Sequence, residues 1–218
     1  MHAQAINSVR WLLSELHDPF VMFPLQSVAR SLSALVEESQ EGFCAREGPY
    51  GVARKFWDVP MEMLHEEIGL VIGSAFVLGQ ATLTQTIAII SQLHHLSGRR
   101  ASIPHRKREL LEMDATWDSE TQMSHLVVVD TAANFFKHHH EWPTDWHLYS
   151  EKWVQAKTIA DARTLGFSGH EITDNMHIAL QRLGIDQSDM ANVAATIQNW
   201  RGRLAQRFSQ ELGEPIDW

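Results

Sequence analysis

Apolar residues recur every three to four positions along most of the chain, a spacing that is typical of amphipathic helices. The pattern predicts about seven helices and no strand. Their approximate bounds are 6–16, 24–36, 60–97, 118–140, 150–164, 173–183 and 188–212. Because each helix carries an apolar stripe that must be buried against another, the sequence predicts an all-α helical bundle forming a single domain over residues 1–218.

Residue types that begin and end helices support these bounds. Asp58 and Pro60 are suited to the start of the third predicted helix. Asp118 or Ser119 is the predicted cap of the fourth, where Ser119 and Gln122 match a capping box. Residues 41–59 are rich in Gly and Pro and are predicted to form a loop. Glycine follows four of the predicted helices, at Gly98, Gly166, Gly184 and Gly213, as expected of C-terminal stops.

The third predicted helix has no charged residue from Ile68 to Leu93. Hydroxyl and amide side chains interrupt this segment, whereas a membrane-spanning helix needs about 20 predominantly apolar residues. We therefore expect a central helix that is buried on most sides and does not cross a membrane. Gly69 and Gly73 lie one turn apart and would permit close approach of a neighbouring helix; a dimer seam is the alternative.

Charge and cysteine content narrow the functional classes. The formal net charge of −9 argues against a broadly cationic nucleic-acid surface. The only cysteine, Cys44, leaves no internal disulfide, and the first ten residues lack the pattern of a signal peptide, so we expect a cytoplasmic protein. One local basic cluster lies in the predicted connection 99–113 and is either a solvated loop or a surface for phosphates or an acidic partner; its members are Arg99, Arg100, Arg106, Lys107 and Arg108.

The end of the fourth predicted helix carries an unusual set of polar residues. Asp130, Asn134 and His138 are four apart and share one helix face, with Lys137 and Glu141 beside them. His138 has the chemistry of an acid or base near neutral pH, and Lys137 that of a phosphate ligand. The alternative is structural: these groups satisfy backbone atoms and complement the C-terminal end of the helix.

Metal binding is the weaker hypothesis. The three consecutive histidines 138–140 point about 100° apart on a helix and cannot converge on one ion. Glu62 and His65 match the Glu-x-x-His spacing of carboxylate metal bundles, but Asp174 and His177 only approximate the second motif that such a site requires. We expect no metal and no cofactor, and keep a metal-binding bundle as an alternative.

Two segments resemble the HEPN superfamily of small helical bundles, named for higher eukaryotes and prokaryotes nucleotide-binding. They are Phe76-Val77-Leu78-Gly79-Gln80-Ala81 in the charge-free helix and Ala133-Asn134-Phe135-Phe136-Lys137-His138 at the end of the next. The resemblance covers residues 60–146 as a HEPN-like core, followed by C-terminal helices over 150–212. It implies a helical fold, a homodimer and an RNA-related role in bacterial stress or defence.

Many HEPN proteins are metal-independent ribonucleases whose motif is an arginine, a polar residue and then a histidine. The resemblance places Asn134 at the polar position and His138 at the histidine, but the arginine position is Ala133. It therefore implies His138, Asn134 and Lys137 as catalytic residues, with the basic cluster binding RNA. A protein without the arginine is instead expected to be a non-catalytic dimeric interaction or scaffold protein with a protein partner.

Overall fold

The computed structural model describes residues 3–22, 25–35, 37, 58–98, 102–104, 106–143, 145–146, 155–169, 171–186 and 189–216. The predicted all-α bundle is confirmed: within these ranges the chain forms eight α-helices, and pairing between strands is limited to one bridge, Trp117 with Ser124. The helices are α1 (Ala3–His17), α2 (25–35), α3 (Asp58–Ser97), α4 (Lys107–Glu112), α5 (His125–His138), α6 (Ala156–Leu165), α7 (Ile172–Leu183) and α8 (Ala191–Leu212). Short 3₁₀ helices follow α1 and α5, at Pro19–Met22 and His139–Glu141.

Helix α3 is the centre of the bundle, and α1, α5, α7 and α8 pack against it. A Cβ atom at Gly69 would lie 2.3 Å from Thr173 Oγ1 of α7, and one at Gly73 would lie 2.1 Å from the Phe136 ring of α5. Thr173 also donates a hydrogen bond of 2.7 Å to the His65 carbonyl oxygen. The two glycines therefore permit close approach of α5 and α7, as the sequence predicts.

The buried apolar side chains form one cluster with members from all eight helices. Arg201 of α8 is buried within it, and its guanidinium donates to Thr86 Oγ1 at 2.8 Å and to the Glu15 carbonyl oxygen at 2.6 Å. These bonds satisfy a charge that would otherwise be costly to bury, and they join α1, α3 and α8. Burial lowers the pKa of Arg201 from its ordinary value, while the charges of Glu15 and Asp18 oppose that shift.

The predicted start of the helix that carries Asn134 is wrong. Helix α5 begins at His125, and Ser124 is its N-cap, with Oγ accepting from the Val127 N–H at 3.2 Å. Asp118 instead closes a turn by accepting from the Thr121 N–H at 2.8 Å. Gln122 has a φ of 56°, which no α-helix tolerates, so the Ser119 and Gln122 capping box does not form.

The other bounds agree with the sequence to within a few residues where the structure describes them. The four predicted glycine stops all have positive φ, between 60° and 94°. The basic connection is not wholly irregular, because it contains the short helix α4, whose Leu110 and Leu111 are buried. The predicted loop 41–59 lies outside the described residues except for Asp58 and Val59, which already belong to α3.

By length and composition, the segment His65–Ser97 of α3 is apolar enough to cross a membrane, with a mean hydropathy of 1.4 in its most apolar window. This is weak support for a membrane helix, because the core helix of a globular protein passes the same test. In this bundle 44% of that window is buried against the rest of the protein. The helix is therefore less buried than the sequence predicts.

Candidate functional site

Helices α4, α5 and α6 enclose a pocket of about 250 Å³, which we call the α4–α6 cleft. It brings together two groups that the sequence singles out separately: Asn134 from the polar stripe of α5, and Lys107 and Arg108 from the basic cluster. Its lining residues are Lys107, Arg108, Leu111, Val127, Asp130, Asn134, Lys157, Thr158 and Asp161.

Three cations and two carboxylates line the cleft. Lys107 Nζ lies 2.6 Å from Asp130 Oδ1, and Arg108 Nη1 lies 2.7 Å from Asp161 Oδ2. Arg108 also pairs with Glu112, one turn along α4. Burial raises the pKa of Asp161 above its ordinary value although Arg108 opposes the shift, so the cost of an extra negative charge here is already considerable.

Three polar groups of the cleft form no hydrogen bond within the described residues, although the charge of Lys157 also acts on Asp161. The Asn134 amide, the Thr158 hydroxyl and the Lys157 ammonium form no hydrogen bond with any other described residue, although all three line the cavity. An amide, a hydroxyl and an ammonium together offer several donors to one ligand. The cleft therefore has the chemistry to bind a small polar anion, such as a phosphate group.

His138 ends α5, one turn beyond Asn134 on the same stripe. Its Nδ1 lies 3.2 Å from Glu141 Oε1, and Glu141 Oε2 accepts from Gln155 Nε2 at 3.2 Å. The hydrogen bond with His138 holds the pKa of Glu141 below its ordinary value. A carboxylate on one ring nitrogen orients the imidazole and leaves Nε2 for another partner.

Lys137 is not among the residues that line the cleft, and its ammonium is bonded to Gln80 of α3. Lys137 Nζ donates to Gln80 Oε1 at 2.5 Å, and Gln80 Nε2 donates to Asp130 Oδ1 at 2.6 Å. Because Asp130 also binds Lys107, a continuous polar chain joins α4, α5 and α3. Lys107 and Lys137 are therefore the two ends of this series of hydrogen-bonded side chains.

The remaining predicted residues are described only in part. Arg99 and Arg100 lie outside the described residues, and Arg106 is exposed, with its guanidinium 3.8 Å from Glu109. Ala133, which the sequence resemblance aligns with the motif arginine, is fully buried in the core. An arginine at that position would therefore not point into the α4–α6 cleft, and any phosphate there must be bound by other cations.

The residues of the metal hypothesis lie on α3 and α7. His65 Nε2 lies 3.6 Å from Asp174 Oδ1, so part of the expected grouping does meet. No group of three potential ligands converges on a metal position within the described residues, and the side chain of Glu62 is not among them. His65 and Asp174 are therefore a pair of side chains, and no third ligand joins them within the described residues.

Comparisons with known proteins add no family to this geometry. A scan against protein-family models found no match, and searches of curated proteins and of solved structures found none either.

Proposed function

We propose that this HEPN-like protein binds RNA, with the α4–α6 cleft contacting the phosphate groups. The observation that supports the proposal is that Lys107, Arg108 and Lys157 line the same cleft as Asn134, whose amide forms no hydrogen bond with another described residue. A phosphate group accepts hydrogen bonds from such groups, and a lysine ammonium binds it as a point charge. The three cations occupy one small part of the surface, so their grouping is compatible with a net charge of −9 over the whole chain.

In this proposal Lys157 and Asn134 bind phosphate first, because neither has to break a hydrogen bond within the described structure. Lys107 joins them by moving its ammonium from Asp130 towards the phosphate. Arg108 stays paired with Asp161 and Glu112. Its role is to offset the negative charge of those two carboxylates, which would otherwise repel phosphate. A single-stranded RNA fits this arrangement because its phosphates are accessible without the geometry of a duplex groove.

The stronger form of the proposal is metal-independent RNA cleavage. His138, oriented by Glu141, would accept the proton of a ribose 2′-hydroxyl through Nε2. The 2′-oxygen would then attack the adjacent phosphorus and break its bond to the 5′-oxygen of the next nucleotide. That oxygen would leave with a proton taken from solvent water while His138 returns its own proton to solvent, giving a 2′,3′-cyclic phosphate and a 5′-hydroxyl end. Donors in the cleft would stabilise the charge that develops on the phosphate oxygens.

A non-catalytic interaction protein of the same fold is the second candidate. The observation that favours it is that both lysines already have partners: Lys107 is paired with the carboxylate of Asp130, and Lys137 donates to the neutral amide of Gln80. The buried Ala133 also supplies no cation. Under this alternative Asn134 and His138 hold the end of α5, and their loss lowers the melting temperature without changing any RNA binding.

Binding is tested by fluorescence anisotropy with a labelled single-stranded RNA in the presence of EDTA. Lys157→Ala is expected to raise the Kd at least tenfold. Arg30→Ala, which removes an exposed cation from α2, is the matched control and is expected to change the Kd less than twofold. Equal losses in both variants, or no binding by the unaltered protein, would contradict the proposal.

Cleavage is tested separately by following the same RNA on denaturing gels with EDTA present. His138→Gln is expected to abolish cleavage while retaining binding. His140→Gln is the matched control, because His140 is a more exposed histidine two residues along the chain and lies outside the stripe of Asn134 and His138. Binding without cleavage by the unaltered protein would leave RNA binding in place and exclude the ribonuclease form.

A further inference from the structure

Trp117 lies in the turn that connects α4 to α5, and it is 46% exposed. Three other tryptophans that the structure describes are at most 4% exposed; they are Trp142, Trp146 and Trp200. Trp11 on α1 is also exposed, at 62%. A single exposed apolar residue does not by itself indicate a function. Trp117 differs from Trp11 in its position, which is next to the α4–α6 cleft.

An antiparallel bridge pairs Trp117 with Ser124 and closes this turn. Two backbone hydrogen bonds of 2.8 Å join the residues on either side of the pair, so the pair itself is the non-hydrogen-bonded kind. In such a pair the two Cα atoms are about 4.5 Å apart and both side chains leave the same face of the ladder. The indole of Trp117 therefore begins beside the side chain of Ser124.

The side chain of Ser124 contacts two residues that line the cleft. Its Oγ donates to the Leu111 carbonyl oxygen at 2.8 Å and accepts from the Val127 N–H at 3.2 Å. Leu111 and Val127 both line the α4–α6 cleft. Because Trp117 is paired with Ser124, its ring lies at the end of the cleft that Leu111 and Val127 form.

The backbone that carries Trp117 is anchored to α8. Trp200 Nε1 donates to the Met113 carbonyl oxygen at 2.9 Å. Arg203 Nε donates to the Asp114 carbonyl oxygen at 2.6 Å. With the bridge at its other end, the turn is held on both sides, so little conformational entropy is lost when a ligand contacts the ring.

The turn itself supplies no cation. Residues 114–124 contain no lysine, arginine or histidine, so the turn cannot neutralise a phosphate. Its carboxylates have partners within the protein: Asp118 accepts from the Thr121 N–H at 2.8 Å, and Glu120 pairs with Arg182. The turn therefore offers an uncharged aromatic ring next to a cleft lined by cations. Proteins that bind single-stranded nucleic acid combine these two features, because cations track the backbone and aromatic rings stack on bases.

We propose that Trp117 stacks on a base of a single-stranded RNA whose phosphates occupy the α4–α6 cleft. The inference rests on the proposed function and specifies its ligand as a strand that carries bases rather than a phosphate polymer alone. At 1.5 Å per residue, Asn134 lies about 15 Å along α5 from Ser124. Successive nucleotides of a stacked strand rise about 3.4 Å, so the stacked base is at most about four nucleotides from a phosphate at Asn134.

The contact is tested by fluorescence anisotropy with two labelled strands of about ten nucleotides, one of RNA and one of the same sugar-phosphate backbone without bases. Trp117→Ala is expected to raise the Kd for RNA about tenfold, the loss expected for one stacked base, and the Kd for the abasic strand less than twofold. Lys157→Ala should weaken the binding of both strands. Trp11→Ala, which removes a more exposed tryptophan from α1, is the matched control and should change either Kd less than twofold.

Two further variants separate stacking from the packing of the turn. Trp117→Phe keeps an aromatic ring and should hold the Kd for RNA within about threefold of that of the unaltered protein. Trp117→Leu keeps an apolar side chain but loses the ring, so it should weaken RNA binding as much as Trp117→Ala does. Thermal unfolding of the variants checks that the bundle keeps its fold.

Every other outcome overturns the stacking contact. Equal losses of RNA and abasic strand in Trp117→Ala would mean that the residue only supports the cleft. Equal RNA affinity of Trp117→Phe and Trp117→Leu would mean that the ring is not required. RNA binding that Lys157→Ala weakens and Trp117→Ala leaves unchanged would remove the base contact and keep the proposed function. Absence of binding to both strands would overturn the proposed function and the base contact together.

Discussion

Asn134 separates the functional and structural interpretations of α5, because its amide lines the α4–α6 cleft without a hydrogen bond to any other described residue. Asn134→Asp keeps the shape of the side chain and adds a negative charge beside Asp130 and Asp161. We expect RNA affinity to fall about tenfold through repulsion of phosphate, and the melting temperature to fall as well, because a third carboxylate is costly in a cleft where burial already raises the pKa of Asp161. Anisotropy and thermal unfolding measure the two effects. A large loss of thermal stability with unchanged affinity would support the structural interpretation instead.

His177 gives a pH dependence that belongs to folding rather than to RNA binding. Burial lowers the pKa of His177, the nearby His65 lowers it further, and Asp174 opposes both. The unfolded chain, where a histidine has a pKa of about 6.5, therefore binds a proton more readily than the folded chain. Stability is expected to fall as the pH drops below about 6.5, and the fall should level off below the lowered pKa of the folded state.

The matching experiment follows the melting temperature of the unaltered protein and of His177→Gln across this pH range. Because glutamine does not titrate, the variant should lose less stability than the unaltered protein as the pH falls. Parallel curves for the two proteins would show that His177 is not the group responsible.

Individual site residues were predictable from the sequence only where a local pattern marks them. Asn134 and His138 stand out because helical spacing aligns them with Asp130 on one face. Gln80 does not stand out, since it is one amide among several on an uncharged helix and its partners Asp130 and Lys137 are at least 50 residues away. The pocket itself depends on how α4, α5 and α6 pack, which no local pattern encodes.

At the scale of elements, the ends of helices were more predictable than some of their beginnings. Gly166, Gly184 and Gly213 end α6, α7 and α8 because glycine adopts the left-handed conformation without strain. The predicted start of α5 was wrong because Asp118 and Ser124 are both residue types that cap helices. Only Ser124 is followed directly by the helix. Tertiary contact decides between them: Ser124 Oγ also donates to the Leu111 carbonyl oxygen at 2.8 Å.

Two glycines within helices should respond to substitution in opposite directions. A Cβ at Gly73 would overlap the Phe136 ring of α5, whereas a Cβ at Gly202 in α8 meets no atom within 4 Å. We expect Gly73→Ala to lower the free energy of unfolding by about 1–3 kcal/mol through overpacking. Gly202→Ala should raise it by about 0.5–1 kcal/mol, because alanine has the higher helix propensity.

Urea unfolding of the two variants and the unaltered protein measures both changes under identical conditions. The comparison is matched because each variant replaces a glycine inside a helix by alanine. Equal effects of the two substitutions would mean that α5 does not pack on α3 as closely as the structure indicates.

At the scale of the whole molecule, two charge effects on RNA binding oppose each other. The cations of the cleft attract phosphate, whereas the net negative charge of the chain repels RNA. The chain carries −9 overall, so non-specific attraction to RNA is unfavourable. The cleft offers three cations, Lys107, Arg108 and Lys157, of which Arg108 is already paired twice. Binding should therefore involve few phosphates and show a shallow dependence on salt.

The slope of log Kd against log salt measures the number of phosphates that are neutralised. For a single strand it is about 0.7 per phosphate, so the two lysines give about 1.4, and about 2 is the limit if Arg108 also contributes. The Kd should therefore rise no more than about 20-fold between 50 and 200 mM salt. Lys157→Ala should reduce the slope by about 0.7, and Arg30→Ala should leave it unchanged. A slope much steeper than 2 would mean that RNA contacts a basic surface outside the cleft. A slope that Lys157→Ala does not alter would remove the cleft from the binding site, even if the protein binds RNA.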